Sequence, residues 1–122
     1  MAKRILIVDD EEDIVNLVRM ILEDAGYSVT SFTDGRDALR ALATDSFDLI
    51  LLDVMMPFLT GWEVLEALRS QQQTRNIPVA LLTARASPRE NNQPHPTDYC
   101  EYITKPFEPD DFLRRINQIL SA

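Results

Sequence analysis

The stretch from Asp48 to Gly61, D-L-I-L-L-D-V-M-M-P-F-L-T-G, constrains this chain more than any other. Leu49 to Leu52 form an unbroken apolar run too short for an independent helix, the pattern of a strand buried on both faces of a parallel sheet, and the run stops at Asp53. In open α/β sheets ligands bind in the crevice beyond the carboxyl ends of the strands, so Asp53 stands where a reactive group belongs and is expected to be displayed to solvent. Pro57 then turns the chain. Thr60, with Glu63 three positions on, predicts a capping box that ends the loop and starts the next helix.

The remaining segments repeat the same alternation. Lys3 to Val8 read as a first buried strand with Asp9, Asp10, Glu11 and Glu12 at its tip. Ile14, Leu17, Val18, Ile21, Leu22 and Ala25 recur at helical spacing, and Gly26 stops that helix. Tyr27 to Phe32 alternate as a strand near the sheet edge, and a short helix follows over Ala38, Leu39, Ala41 and Leu42. Beyond the central strand, Trp62, Val64, Leu65 and Leu68 mark a third helix. A fourth strand is predicted from about Ile77 to Thr83, with Pro78 at its start, where little of the ladder is lost. The fifth, about Cys100 to Thr104, leads to Lys105 and Pro106, and Pro109 opens a last helix carrying Phe112, Leu113, Ile116, Ile119 and Leu120 inward.

Strands alternating with helices imply right-handed crossovers and a parallel sheet. The expected fold is α/β, a doubly wound, flavodoxin-like sheet of five strands in the order 2-1-3-4-5, formed by one domain over residues 1–122. In that order the first and third strands are neighbours, so Asp9, Asp10 and Asp53 are predicted to converge. The return segment between Ala84 and Tyr99 breaks the pattern. Pro88, Pro94 and Pro96, with Asn91 and Asn92, predict a fourth crossover helix that is shortened or irregular, because an interior proline costs a helix ~3 kcal/mol.

Composition narrows the function. A chain of 122 residues, 45% hydrophobic, suffices for one core. Its net charge of −8, from 12 basic and 20 acidic residues, argues against direct nucleic-acid binding and suits a domain that concentrates cations. No apolar run approaches the roughly 20 residues of a membrane span, and the start lacks a signal-peptide apolar region, so a cytoplasmic protein without membrane contact is expected. One cysteine, Cys100, cannot form an internal disulfide, and His95, flanked by prolines, reads as a solvated loop residue.

Three carboxylates in one crevice repel one another, and such a cluster holds a cation or a shared proton. Mg2+ fits, since it takes oxygen ligands, keeps several waters and binds through one or two carboxylates plus a phosphate oxygen. An aspartate can attack phosphorus to give an acyl phosphate. That chemistry needs a hydroxyl and a positive group nearby, and Thr83 and Lys105 stand at the ends of the fourth and fifth strands. Either residue alone is ordinary; both together, beside the acids, make a constellation.

V-D-D-E-E at Val8 to Glu12, L-L-D-V-M-M-P at Leu51 to Pro57 with Gly61, L-L-T-A at Leu81 to Ala84 and Y-I-T-K-P-F at Tyr102 to Phe107 resemble the receiver domain of two-component response regulators. The resemblance implies that Asp53 accepts a phosphoryl group from a sensor histidine kinase or phosphotransfer protein. It implies Mg2+ on Asp10, Asp9 and Asp53 with the main-chain carbonyl of Met55, and Lys105 pairing with the phosphoryl group before a cis bond to Pro106. Thr83 and Tyr102 would form the switch that alters an output face, read by a downstream protein or output domain. A homodimer is among the assemblies it allows. Met55 and Arg85 are expected to flank the phosphoryl group. The chain departs from the family in its proline-rich return segment and in Phe58 and Leu59, bulky apolar residues where glycine and polar residues are common. Two other readings were weighed: a receiver fold that binds partners without phosphate, and an aspartate-nucleophile phosphatase of the haloacid-dehalogenase type. The latter wants D-x-D on the first strand, where this chain has adjacent acids.

Overall fold

Five parallel strands pair in the order β2-β1-β3-β4-β5: β1 Arg4–Val8, β2 Ser28–Phe32, β3 Leu49–Asp53, β4 Val79–Thr83 and β5 Glu101–Thr104. Helices α1 Glu12–Asp24, α2 Gly35–Leu42, α3 Gly61–Arg69 and α4 Pro109–Ser121 complete the elements among the described residues. The computed structural model describes residues 2–83 and 101–121. The expected shortened or irregular fourth crossover helix, with Arg85, His95 and Cys100, lies outside the described residues.

Alternation along each central strand divides the core into two layers. Leu6, Val8, Ile50, Leu52, Val79 and Leu81 face Ala38 and Leu42 of α2 and Val64, Leu65 and Leu68 of α3. The other face carries Ile5, Ile7, Leu49, Leu51, Ala80, Leu82 and Ile103 against Val15, Val18 and Leu22 of α1 and Phe112 and Ile116 of α4. Both faces of β3 are therefore covered, which is why Leu49 to Leu52 are apolar without interruption.

Local signals act where the sequence places them. Thr60 Oγ1 accepts the Glu63 amide at 3.2 Å and Glu63 Oε1 accepts the Thr60 amide at 2.9 Å, the reciprocal capping box at the start of α3. Gly26 takes φ +98°, the left-handed conformation that ends α1. Strand β1 begins at Arg4 rather than Lys3, and β2 and β4 also start later than the sequence predicts. The Tyr27 amide bonds to the Leu22 carbonyl and so belongs to the end of α1, leaving β2 to begin at Ser28. The Ile77 amide bonds to the Thr74 carbonyl in a turn, so β4 begins at Val79, after Pro78.

Candidate functional site

Register brings the acids together. Val8 pairs with Leu52, so the next residues, Asp9 and Asp53, leave the sheet at the same level. Asp9, Asp10 and Asp53 each offer a carboxylate oxygen within 4.8 Å of the others. Asp53 continues the row of Leu49 and Leu51 toward α1 and α4, as Asp9 continues that of Ile5 and Ile7. Thr83 instead continues the row of Val79 and Leu81, on the α2/α3 face where Tyr102 packs half-buried. The proposed chemical and switching residues thus sit on opposite sides of the sheet at one end.

Asp53 is 2% exposed, which corrects the expectation that it is displayed to solvent. Its carboxylate lies among Asp9, Asp10 and Lys105, and the chain also returns closely after β3. The Gly61 amide donates to the Val54 carbonyl at 3.0 Å, and a Cβ at Gly61 would stand 2.2 Å from the Asp53 carbonyl oxygen. The Met55 amide donates to Asp53 Oδ1 at 3.2 Å, while the Met55 side chain points outward, 57% exposed. Asp10 remains exposed and is the open side of the cluster.

Lys105 enters from β5. Its amide bonds to the Thr83 carbonyl at 2.6 Å, extending the β4–β5 ladder by one residue and tying the two together. Its Nζ lies 2.8 Å from Asp9 Oδ2, 2.9 Å from Glu11 Oε1 and 3.6 Å from Asp53 Oδ1. The peptide bond from Lys105 to Pro106 is cis. Glu11 is the partner that the sequence reading left without a role. The acidic run after Val8 was the available signal, but nothing in it marks which acid meets a residue 94 positions away.

Burial drives the Asp53 carboxyl up to about 8, helped by the charge of Asp9 and opposed by Lys105. Burial alone would lower the Lys105 ammonium; the carboxylates of Asp9, Glu11 and Asp53 more than reverse that and leave it above its ordinary value. Among the described residues, Asp9 Oδ2 is buried and accepts no hydrogen bond, while Lys105 Nζ stands 2.8 Å away as its ion-pair partner. A buried carboxylate oxygen of this kind, beside two more acids and an open side at Asp10, fits a hard divalent cation.

The sequence profile described as the response regulator receiver domain matches residues 5–117. The chain belongs to this family. Receiver domains are signalling domains of two-component systems, and several solved receiver structures share this chain's length and shape. It is 42% identical over 120 residues to the alkaline phosphatase synthesis transcriptional regulatory protein PhoP of Bacillus subtilis, covering 98% of this chain and 49% of PhoP. The chemotaxis response regulator CheY4 of Vibrio cholerae superposes with a TM-score of 0.91 at 35% identity, covering 98% of this chain and all of CheY4. The response regulator TrrA of Thermotoga maritima, solved in complex with Mg2+–BeF, superposes with a TM-score of 0.85 at 31% identity, covering 97% of this chain and 99% of TrrA. The chain spans about half the length of the curated relatives it matches. Among the described residues of this receiver domain, no helix is long and apolar enough to cross a membrane.

Proposed function

We propose that residues 1–122 act as one cytoplasmic phosphorylation-operated switch, in which Asp53 takes a phosphoryl group from the phosphohistidine of a sensor histidine kinase or phosphotransfer protein. The observation that carries this reading is the convergence of Asp9, Asp10 and Asp53 around the buried amine of Lys105. An Asp53 carboxylate oxygen attacks phosphorus; the phosphorus–nitrogen bond to the donor imidazole breaks, and its electron pair stays on the ring nitrogen. Lys105, already between Asp9 and Asp53, shifts toward the incoming phosphoryl oxygens and offsets their charge. Asp9, Asp10, Asp53 and the Met55 main-chain carbonyl are the groups that would hold Mg2+. Bound there, Mg2+ supplies neutralisation of the charge on the transferred group. The complex of TrrA with Mg2+–BeF supports a site built for a divalent cation beside an anionic group.

Thr83 and Tyr102 share the α2/α3 face, and this supports their pairing as the switch. The phosphoryl group offers the Thr83 hydroxyl a contact that exists in one state only, and Tyr102 responds to the space that Thr83 leaves. The altered face is read by a downstream protein or output domain. Later hydrolysis of the acyl phosphate resets the switch, so the only catalysis is on the protein itself. The net charge of −8 opposes direct nucleic-acid contact by this unit.

Incubation with acetyl phosphate and Mg2+, followed by intact mass measurement, tests the reading. Wild type gains the mass of one phosphoryl group and Asp53→Asn gains none. Labelling that survives Asp53→Asn would overturn the choice of acceptor.

A further inference from the structure

The loop between the acceptor strand and α3 contains a strained turn. The Leu59 amide donates to the Pro57 carbonyl at 2.7 Å across Phe58, whose φ is +68°. A hydrogen bond from residue i+2 to residue i across a positive φ is the rare, strained form of the γ-turn, and a bulky aromatic at its centre has no intrinsic preference for it. Phe58 is nonetheless 80% exposed, so burial of its ring does not hold the turn in place.

What meets the ring is Arg36. Its guanidinium carbon lies 4.7 Å from the Phe58 ring centroid, within cation–π range. The guanidinium is itself fixed: Nε lies 3.1 and 3.2 Å from the two Asp34 oxygens and Nη2 lies 2.6 Å from Oδ2. Asp34 also caps α2 by accepting the Arg36 amide at 2.8 Å. These side-chain and backbone hydrogen bonds from Arg36 hold the Asp34 carboxyl down to about 2. The same junction is close-packed beside the stack, since a Cβ at Gly35 would meet the Leu59 side chain at 3.3 Å and that of Val64 at 2.8 Å.

We propose that Arg36 is a positioning residue for the acceptor loop: held on Asp34, it clamps Phe58 over the start of α2 and keeps the strained turn closed. The loop so fixed carries Met55, whose amide hydrogen-bonds Asp53 Oδ1. This inference rests on the reading of Asp53 as part of a Mg2+ site, because its functional consequence is the affinity of that site. An arginine on the second helix thereby bears on a site built from β1, β3 and β5.

The test is a double-mutant cycle on the full chain, read by amide hydrogen exchange at Leu59 and by calorimetric titration with MgCl2. Arg36→Ala is expected to speed Leu59 exchange and weaken Mg2+ binding by roughly two- to fivefold, the range that a cation–π contact at an exposed site supports. Arg36→Lys should recover part of both effects. Phe58→Gly accepts the positive φ without strain, so on that background Arg36→Ala should change neither readout. An Arg36→Ala protein with wild-type exchange and affinity would overturn the clamp. So would an equal loss on the Phe58→Gly background, because Arg36 would then act only through the end of α2. Wild-type protein that takes up no Mg2+ would sink the underlying site reading, and the exchange cycle would still decide the clamp.

Discussion

Lys105 Nζ lies 2.8 Å from Asp9 Oδ2, nearer than the 3.6 Å that separates it from Asp53 Oδ1. The amine therefore serves Asp9 and Glu11 first, and the Asp53 carboxyl second. Its side chain is only 9% exposed, so removing its charge leaves the buried acids uncompensated. In chelator, Lys105→Met is expected to lose about 3 kcal/mol in urea unfolding, the scale of breaking a buried pair from one side. Mg2+ should then stabilise the variant more than wild type. Equal stability of the two proteins in chelator would show that the lysine does not hold the cluster together.

Asp53 gives metal-free folding a pH dependence of defined sign. Its folded value of about 8 lies above the ordinary 3.8, so between those values the folded chain binds more protons than the unfolded one. The stability this contributes is complete below about pH 4 and is lost as pH rises through 8. Asp53→Asn removes that slope and leaves the protein more stable at pH 8, by on the order of 1 to 3 kcal/mol. Denaturant midpoints in chelator across that range measure it, and a midpoint for wild type that rises with pH would contradict it.

Mg2+ should work against the same slope. Ligand carboxylates must be deprotonated to bind, so the rise in thermal midpoint at fixed MgCl2 is expected to be larger at pH 8 than at pH 6. At a concentration about 100 times the dissociation constant, the stabilisation is about 2.7 kcal/mol. Asp10→Asn takes a ligand from the open side of the site and should shrink the effect at both pH values. A calcium- and magnesium-insensitive wild type would count against the cation site.

Gly61 and Gly35 should respond differently to alanine. A Cβ at Gly61 would lie 2.2 Å from the Asp53 carbonyl oxygen and 2.7 Å from Val54 Cα, backbone atoms that move only with the end of β3. Gly61→Ala is expected to cost about 3 kcal/mol and to lower Mg2+ affinity, because relief displaces Asp53. At Gly35 the closest atom is Val64 Cγ2 at 2.8 Å, the end of a side chain, so Gly35→Ala should cost about 1 kcal/mol. Thermal unfolding of the pair decides it, and equal losses would mean that the strand end yields as easily as a methyl group.

Much of this protein could be read along the chain, because the signals involved are local. The apolar run before Asp53, the box of Thr60 and Glu63 and the stop at Gly26 each act within a few residues, and each appears in the fold. Alternation and handedness implied a parallel sheet, five short-looped strands fitted the order 2-1-3-4-5, and that order made Asp9 a neighbour of Asp53. What local pattern cannot encode is depth. Asp53 was expected in solvent and lies buried among Asp9, Lys105 and the Met55 amide, which three separate strand ends bring together.

The identities of the acids, the lysine and the threonine, together with their places at strand ends, were determined by the sequence itself, since periodicity and turn chemistry are properties of neighbouring residues. Tertiary structure decided which side chains touch: Lys105 on Asp9 and Glu11, and Arg36 over Phe58. Those contacts join residues from separate elements, and their distances depend on how closely the layers pack, a quantity set by the whole fold and written in no single segment of it.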